Sequence, residues 1–549
     1  MNTALLKRTF LWWVLSCLLG NMNLSHGATD LIRIGLAGFP TSLLHYLGYD
    51  EYSEAITSLV LEPLVTLDSQ TLQPQAALAR RFEENGSRTR FEFEIHPKAT
   101  FSDGSSVTSA DVLATWNQLK TAGPPAATYA ALFGGIEDCQ ALSSKKVVFT
   151  SKQPVAAGLG IFSQFFIMPA KVFAGKSLLK DFNESFIGSG PYRIERVVWG
   201  KSISLKRNAQ YWGFQEKSSE RKYRLEQVEF ITQSDPTASF HMLVKDQIDY
   251  LYFLSARSWA KDTEHPLFKK GSIKKLEVNN RLPFAMAGIA WNLRKPLFQD
   301  VRVRLALAHL FNRDRLIKEF FFDQYLPSTG IAHSKSVFHH PKNHPVRFDP
   351  QKAHALLKEA GWKQSEGSHQ YIKDGKPLQF EILTGNPPAS KYLAYYQEDL
   401  RKAGIQISLR VVDWPTYLRM RSQGTFEALD FSRNRDEQLR DLDLTWHSKG
   451  AADPASGNIT GFQNKKVDDL LAQIQSETRA SARERLIRQL DLMISQNHPM
   501  AFSWEPKYQR IAFWNRYEFT EPGYHAYSRW NQLFHEWQWK LSAPSVGSP

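Results

Sequence analysis

Apolar and polar residues alternate with a period of two in several short runs of this chain, and with a helical period between them. Leu31-Ile32-Arg33-Ile34-Gly35-Leu36 predicts an opening strand, broken by the loop residues Gly38-Phe39-Pro40-Thr41. Strands are also expected at residues 90–96 (Phe91, Phe93 and Ile95 alternating), 145–150, 202–206, 228–231 and 248–251, and an extended run at 61–68. Helices are expected at 51–60, 108–120 and 235–244. In the second half, Ala353, Leu356, Leu357 and Ala360 recur at helical spacing across 350–362, and Gly361 ends that helix. A strand at 378–383, a helix at 391–403 stopped by Gly404, and a strand at 405–412 follow. Residues 467–497 read as mostly helical, and 500–504 and 510–514 as extended. This repeated order predicts an α/β fold, with sheets flanked by helices.

Residues 291–328 form one more such unit. A strand-like run ends at Trp291-Asn292, a turn follows, and Asp300 is placed to cap a helix carrying Val301, Leu305, Ala308 and Leu310. Asn312-Arg313-Asp314 interrupts it before Leu316, Ile317, Phe320 and Phe321 continue the apolar face. On the residues alone this is a strand, a turn and a helix, without an obvious catalyst.

A length of 549 residues implies roughly two to four domains. A hydrophobic share of 42% with 22% charged residues is that of a globular chain and excludes a disordered one. Residues 1–27 read as a secretory leader: Lys7 and Arg8, then an apolar stretch from Thr9 to Leu19, then Ser25-His26-Gly27 before Ala28. Cleavage near Gly27/Ala28 leaves Cys139 as the only cysteine, so no internal disulfide forms. Cys17 lies in the leader, but Leu15 before it and Leu18-Leu19 after it argue against a lipoprotein anchor. Losing Lys7 and Arg8 takes the formal charge from +13 to +11. The basic residues are scattered among acids, which argues against a nucleic-acid partner and for a solvated basic surface.

Four blocks along the chain, taken in order, carry a resemblance. They are Thr100-Phe101-Ser102-Asp103-Gly104 with Val107-Thr108-Ser109-Ala110-Asp111-Val112, then Gly188-Ser189-Gly190-Pro191-Tyr192, then Leu205-Lys206-Arg207-Asn208 through Tyr211-Trp212-Gly213, then the segment from Trp291 to Leu316. Together these resemble the family 5 extracellular solute-binding proteins, the capture subunits of peptide and nickel ABC importers. Trp446-His447-Ser448, Asn458-Ile459-Thr460-Gly461 and Ala512-Phe513-Trp514-Asn515-Arg516 resemble the YejA-like branch, linked to microcin C and oligopeptide uptake.

The resemblance implies a type II periplasmic-binding-protein fold of two lobes, with a hinge, a ligand cleft and an inserted smaller α/β domain. The expected boundaries are 28–70, 188–279 and 504–541 for a discontinuous first lobe, 71–187 for the insert, 280–503 for the other lobe, and a frayed tail at 542–549. It implies a periplasmic monomer that binds an oligopeptide or peptide-like ligand, without a cofactor, and meets an inner-membrane permease and ATPase complex. Phe39, Pro40 and Thr41 follow the first strand, where such folds present ligand contacts, and Asn292 is expected on a crossing segment. Many peptide-binding members place an Asp shortly after a Trp. Here Phe431 stands for the Trp, and Arg433-Asn434 occupy the place of the acid. Either Arg433 offers a donor fork to an anionic or modified peptide, or the arginines pair with Asp436, Glu437 or Asp441. Trp446 is either a stacking platform or core.

Other chemistries lack their patterns. Gly175-Lys176-Ser177 is not a phosphate loop, because position 170 is Ala. His339-His340 and His344 have no accompanying metal-ligand spacing, and neither His-Glu-x-x-His nor Gly-x-Ser-x-Gly occurs. The competing readings are a binder of a nickel chelate, haem or glycan on the same fold, and a secreted hydrolase.

Overall fold

The computed structural model describes residues 30–44, 46, 50–121, 132–155, 157–173, 187–216, 222–253, 255–281, 286–433, 441–519 and 524–539. The leader, the tail and Asn434 lie outside the described residues. Three sheets organise the chain. A seven-stranded sheet runs in the order Ile273–Val278, Gln509–Trp514, Tyr250–Tyr252, Leu31–Leu36, Gln227–Thr232, Ser202–Arg207, Tyr192–Val198. Leu31–Leu36 is parallel to both its neighbours, with Gly35 beside Ile231 and Leu251. A five-stranded sheet runs Gln406–Val411, Gln379–Thr384, Ala428–Arg433, Met286–Trp291, Met500–Phe502. A four-stranded antiparallel sheet holds Ala79–Glu84, Arg90–Ile95, Lys146–Thr150 and Asp138–Ser143.

Each sheet has its own core. Ile32, Ile34, Val228 and Tyr250 sit in the first. Phe91, Phe93, Phe149 and Phe162 fill the four-stranded unit. The five-stranded sheet is covered on both faces, by Trp291, Leu307 and Tyr396 on one and by Leu429, Phe431 and Leu490 on the other. That explains why Ala428 and Leu429 are consecutive apolar residues rather than alternating ones.

Helix starts follow local chemistry. Asp50, Asp235, Asp300, Asn312, Asp349, Asp413 and Asn464 each accept a backbone N–H of the first turn. The expected 467–497 helix is two helices, Lys465–Ser476 and Ala480–Asn497, because the Glu477 carboxylate takes the Arg479 N–H and ends the ladder. Of the extended run 61–68, only Val65–Leu67 pairs as a strand, with Pro74–Ala76.

Two glycines are dictated by close approach. A Cβ on Gly188 would lie 1.8 Å from the Val60 carbonyl oxygen, and one on Gly288 would lie 2.2 Å from that of Ala501. The Gly-Ser-Gly-Pro-Tyr block therefore packs against the end of the Glu51–Val60 helix.

The seven-stranded sheet's Val278 is followed by the five-stranded sheet's Met286, and Phe502 of the five-stranded sheet by Gln509 of the seven-stranded one, so the chain passes between the two sheets twice. The second passage is pinned by a short antiparallel ladder of Tyr325–Pro327 with Trp504–Pro506.

Beside the four-stranded unit, buried Glu62 accepts bonds from the Tyr211 hydroxyl and, at 2.9 Å, from Trp212 Nε1. Burial pushes its carboxyl up to about 7, against the bonds from Tyr211 and Trp212. A raised carboxyl favours the fold while protonated. That stabilisation is full below the ordinary value of 4.5 and is lost as pH rises through 7. Glu62→Gln should flatten the stability profile across this window, by on the order of 3 kcal/mol. Urea unfolding at pH 5 and 7.5 measures it, and an unchanged slope would remove Glu62 from the account.

Candidate functional site

In α/β sheets, ligand sites form at the carboxyl ends of parallel strands, where loops diverge. In the first sheet this edge carries Ala37 to Thr41 after Leu36, and Phe253 after Tyr252. Gln233 N–H donates to the Leu36 carbonyl at 2.8 Å, and Thr232 N–H to the Lys201 carbonyl at 2.9 Å. The second bond brings the Trp199 hairpin tip to the same edge. Trp199 is 54% exposed, and its ring centroid lies 5.6 Å from that of Phe39. Tyr252 stacks flat on Trp530 at 5.4 Å, and Trp530 Nε1 donates to Glu51 at 3.2 Å. Burial raises the Glu51 carboxyl, opposed by its bonds from Trp530 and Tyr52.

The corresponding edge of the five-stranded sheet carries Gly385-Asn386, Val412 to Trp414, and Arg433. Met286 pairs with Arg433, so this edge adjoins the first passage between sheets. Val278 pairs with Gln509, so the carboxyl edge of the first sheet adjoins both passages. Both edges thus adjoin the passages between the sheets.

On the second edge, Asp430 accepts the Tyr392 hydroxyl at 2.7 Å and the Thr384 hydroxyl at 2.8 Å, and burial raises its pKa against these bonds. Trp414, 55% exposed, stacks on Tyr417 at 5.1 Å. Tyr392 packs edge to face on Trp504, and Phe321 packs tilted against Trp504 with centroids 4.5 Å apart. Between the edges, Arg510 lies 5.2 Å from the Tyr325 ring centroid and donates to the Phe253 carbonyl.

The residues singled out from sequence fall into different places. Phe39 and exposed Thr41 lie on the first edge, where Thr41 donates to the Asp50 carboxylate that caps Glu51–Val60. Pro40 is buried beside them. Arg433 lies on the second edge, its Nη2 2.8 Å from Asp441 and its Nη1 donating to Thr445. Phe431 and Trp446 are core, with Trp446 edge-on to Phe462. Asn292 is not on a passage between sheets. It closes the far end of Met286–Trp291, and its amide donates to the Phe426 carbonyl at 2.9 Å and that of Gly424 at 3.3 Å. No periodicity marked Trp199, Tyr252, Tyr392 or Trp414; only their abundance in aromatics was visible.

Among the described residues no cluster of three His, Cys, Asp or Glu is placed to hold a metal ion. His339 instead shares a 2.8 Å bond with Thr329. No described helix is long and apolar enough to cross a membrane.

A bilobal α/β framework with two passages is the frame of the type II periplasmic binding proteins. Residues 73–452 match the model of the bacterial extracellular solute-binding proteins, family 5. The chain belongs to that family. Among curated relatives it is 24% identical to a probable peptide-binding protein YejA of Agrobacterium fabrum, over 88% of this chain and 85% of that one. It is 25% identical to YejA of Escherichia coli, over 78% of this chain and 76% of that one. Among solved structures it is similar to the oligopeptide-binding protein AppA of Bacillus subtilis in complex with a nonapeptide: TM-score 0.75, 21% identity, 93% of this chain and 99% of that one. It is also similar to NikA of Brucella suis in complex with Fe(III)-EDTA: TM-score 0.77, 19% identity, 91% and 99% covered.

Tyr392→Phe should cost about 1–3 kcal/mol at pH 7, because the buried Asp430 carboxylate loses a donor. The loss should shrink as pH falls and Asp430 protonates. Denaturant unfolding across a pH series tests this, and a loss that does not change with pH would show that the hydroxyl's contribution is independent of the Asp430 charge.

Proposed function

We propose that this protein is the exported, periplasmic capture subunit of an ABC importer. The leader at 1–27 directs export and is then removed. The lobes are those expected from sequence: 28–70, 188–279 and 504–541 make one, 280–503 the other, and 71–187 is an insert. The monomer closes on an oligopeptide and hands it unaltered to a membrane permease, without catalysis.

One observation carries the reading: the carboxyl edges of the two main sheets adjoin the passages between them, and both are lined by half-exposed aromatic and polar side chains. An extended peptide needs partners for its backbone N–H and C=O groups, which loops at strand ends supply, and flat aromatic faces tolerate varied side chains. A ligand touching both lobes stabilises the closed form by its differential affinity. Arg433, a quarter exposed beside Asp441, suits an anionic or modified peptide, of which a microcin-C-like compound is one kind.

Mass spectrometry of ligand carried through purification tests the class. Peptides are expected; a metal chelate, haem or glycan would replace the reading, and steady cleavage of a peptide panel would reject the non-catalytic role. Peptide addition should shrink the radius of gyration in solution scattering, and an unchanged radius would oppose lobe closure. Arg433→Ala should weaken acidic peptides about tenfold more than neutral ones in calorimetry. Equal losses would leave Arg433 as a partner of Asp441 alone.

A further inference from the structure

A cavity of about 230 Å³ lies within the five-stranded unit, and its lining includes none of the aromatic residues of the two candidate edges. It opens between the Val301–His309 helix, the 328–346 loop and the Ala480–Asn497 helix. One water needs only roughly 10–15 Å³ of such space, so the cavity has room for a small polar molecule. Its lining includes Arg313, Lys342, His344 and His498, together with the hydroxyl residues Ser328 and Thr329, and no Asp or Glu among the described residues.

Arg313 is 4% exposed. Its Nη1 donates to the Phe502 carbonyl at 2.7 Å, while its Nη2 is buried without a hydrogen-bond partner. A buried unpaired donor costs about 1–3 kcal/mol, and more on a charged group. Neighbouring carboxylates are engaged elsewhere. Asp314 pairs with Arg347 at 2.8 Å, and Asp491 accepts from Ala332, His340 and Asn343. Burial pushes the Arg313 guanidinium down to about 10. His498 is pushed down to about 4, first by burial and then by the neighbouring Arg304, His309 and Arg313. Arg313 and Lys342 therefore bring positive charge to the cavity that no carboxylate of its lining balances.

We propose that this cavity is a binding site for a small oxyanion (a carboxylate, sulfate or phosphate group), held by Arg313 Nη2 at its base and by Lys342 and His344 at its mouth. The guanidinium fork matches the paired oxygens of such groups. An occupant would satisfy the donor that the protein leaves open.

The test uses the whole mature protein with sulfate, phosphate and acetate as separate probes in calorimetry, each against chloride at equal ionic strength. Saturable binding of at least one is expected. Arg313→Gln should weaken it tenfold or more, by roughly 1.5–3 kcal/mol for hydrogen bonds to a charged group. Because a change at Arg313 also touches the core, a Lys342→Ala/His344→Ala double variant provides the independent arm. Both residues are exposed, so the fold should survive with affinity about threefold lower. Selenate soaked into crystals should give an anomalous peak beside Arg313. Which probe binds most tightly separates a carboxylate site from a sulfate or phosphate site. No saturable heat from any probe, or binding unchanged in both variants, or selenate peaks only outside the cavity, would overturn the proposal.

Discussion

The passage through Trp504–Pro506 is the constraint on which the two-sheet arrangement depends. The Glu505 carboxylate is wholly buried and accepts the Ser334 N–H at 3.0 Å and the Ser334 hydroxyl, with His333 Nε2 3.6 Å away and equally buried. Lys335 follows directly, and its ammonium donates to the Lys507 carbonyl on this passage and to the Asn279 side chain on the other. One loop of the five-stranded unit thus holds both connections together. A buried carboxylate is tolerated only where donors surround it, so the loop and the passage specify each other. Moving the loop away from the passage would strip Glu505 of its donors.

The family signature can be read in the same terms. Asn292 bonds the carbonyls of Gly424 and Phe426. Arg294 bonds those of Ala451, Asn458 and Ile459. Arg304 bonds those of Phe298, Gln299, Asn497 and His498, the last two at the end of the Ala480–Asn497 helix. Each long polar side chain reaches a carbonyl that lacks a partner in secondary structure, which meets the demand that buried backbone groups be paired. The segment that most clearly identifies the family is therefore scaffold. It fixes one lobe and says nothing direct about the ligand.

This division explains what was legible in the chain. Period-two runs mark Leu31–Leu36 and Arg90–Ile95, and the Asp300 cap marks the start of Val301–His309, because those signals are local. Sheet order was not local. Gln509–Trp514 inserts between Ile273–Val278 and Tyr250–Tyr252, a pairing that no short window encodes. Neither could a window distinguish aromatic roles. Phe431 and Trp446 are as apolar as Trp199 and Trp414, yet the first two are core and the last two stand in solvent. Arg433 posed the same problem for charge, since the sequence allowed both a ligand fork and a pair with Asp441, and the folded chain brings Asp441 to 2.8 Å.

The candidate edges differ from the scaffold in a way that bears on recognition. The scaffold spends fixed charges on carbonyls, at sites where a substitution leaves a partner stranded. The edges instead present planar faces: Trp199 beside Phe39, Tyr252 on Trp530, and Trp414 on Tyr417. Stacking on such faces depends weakly on what is stacked, so it supplies affinity without demanding one side chain. Under the proposed function, selectivity would fall to the few groups with direction, chiefly Glu51 and Asp430, whose carboxyls burial raises, and Arg433. Glu51 opens the Glu51–Val60 helix and Asp430 lies within the Ala428–Arg433 strand, so neither takes part in the bonds that join the two passages. Relatives at about a quarter identity can then keep one architecture while the binding edges diverge.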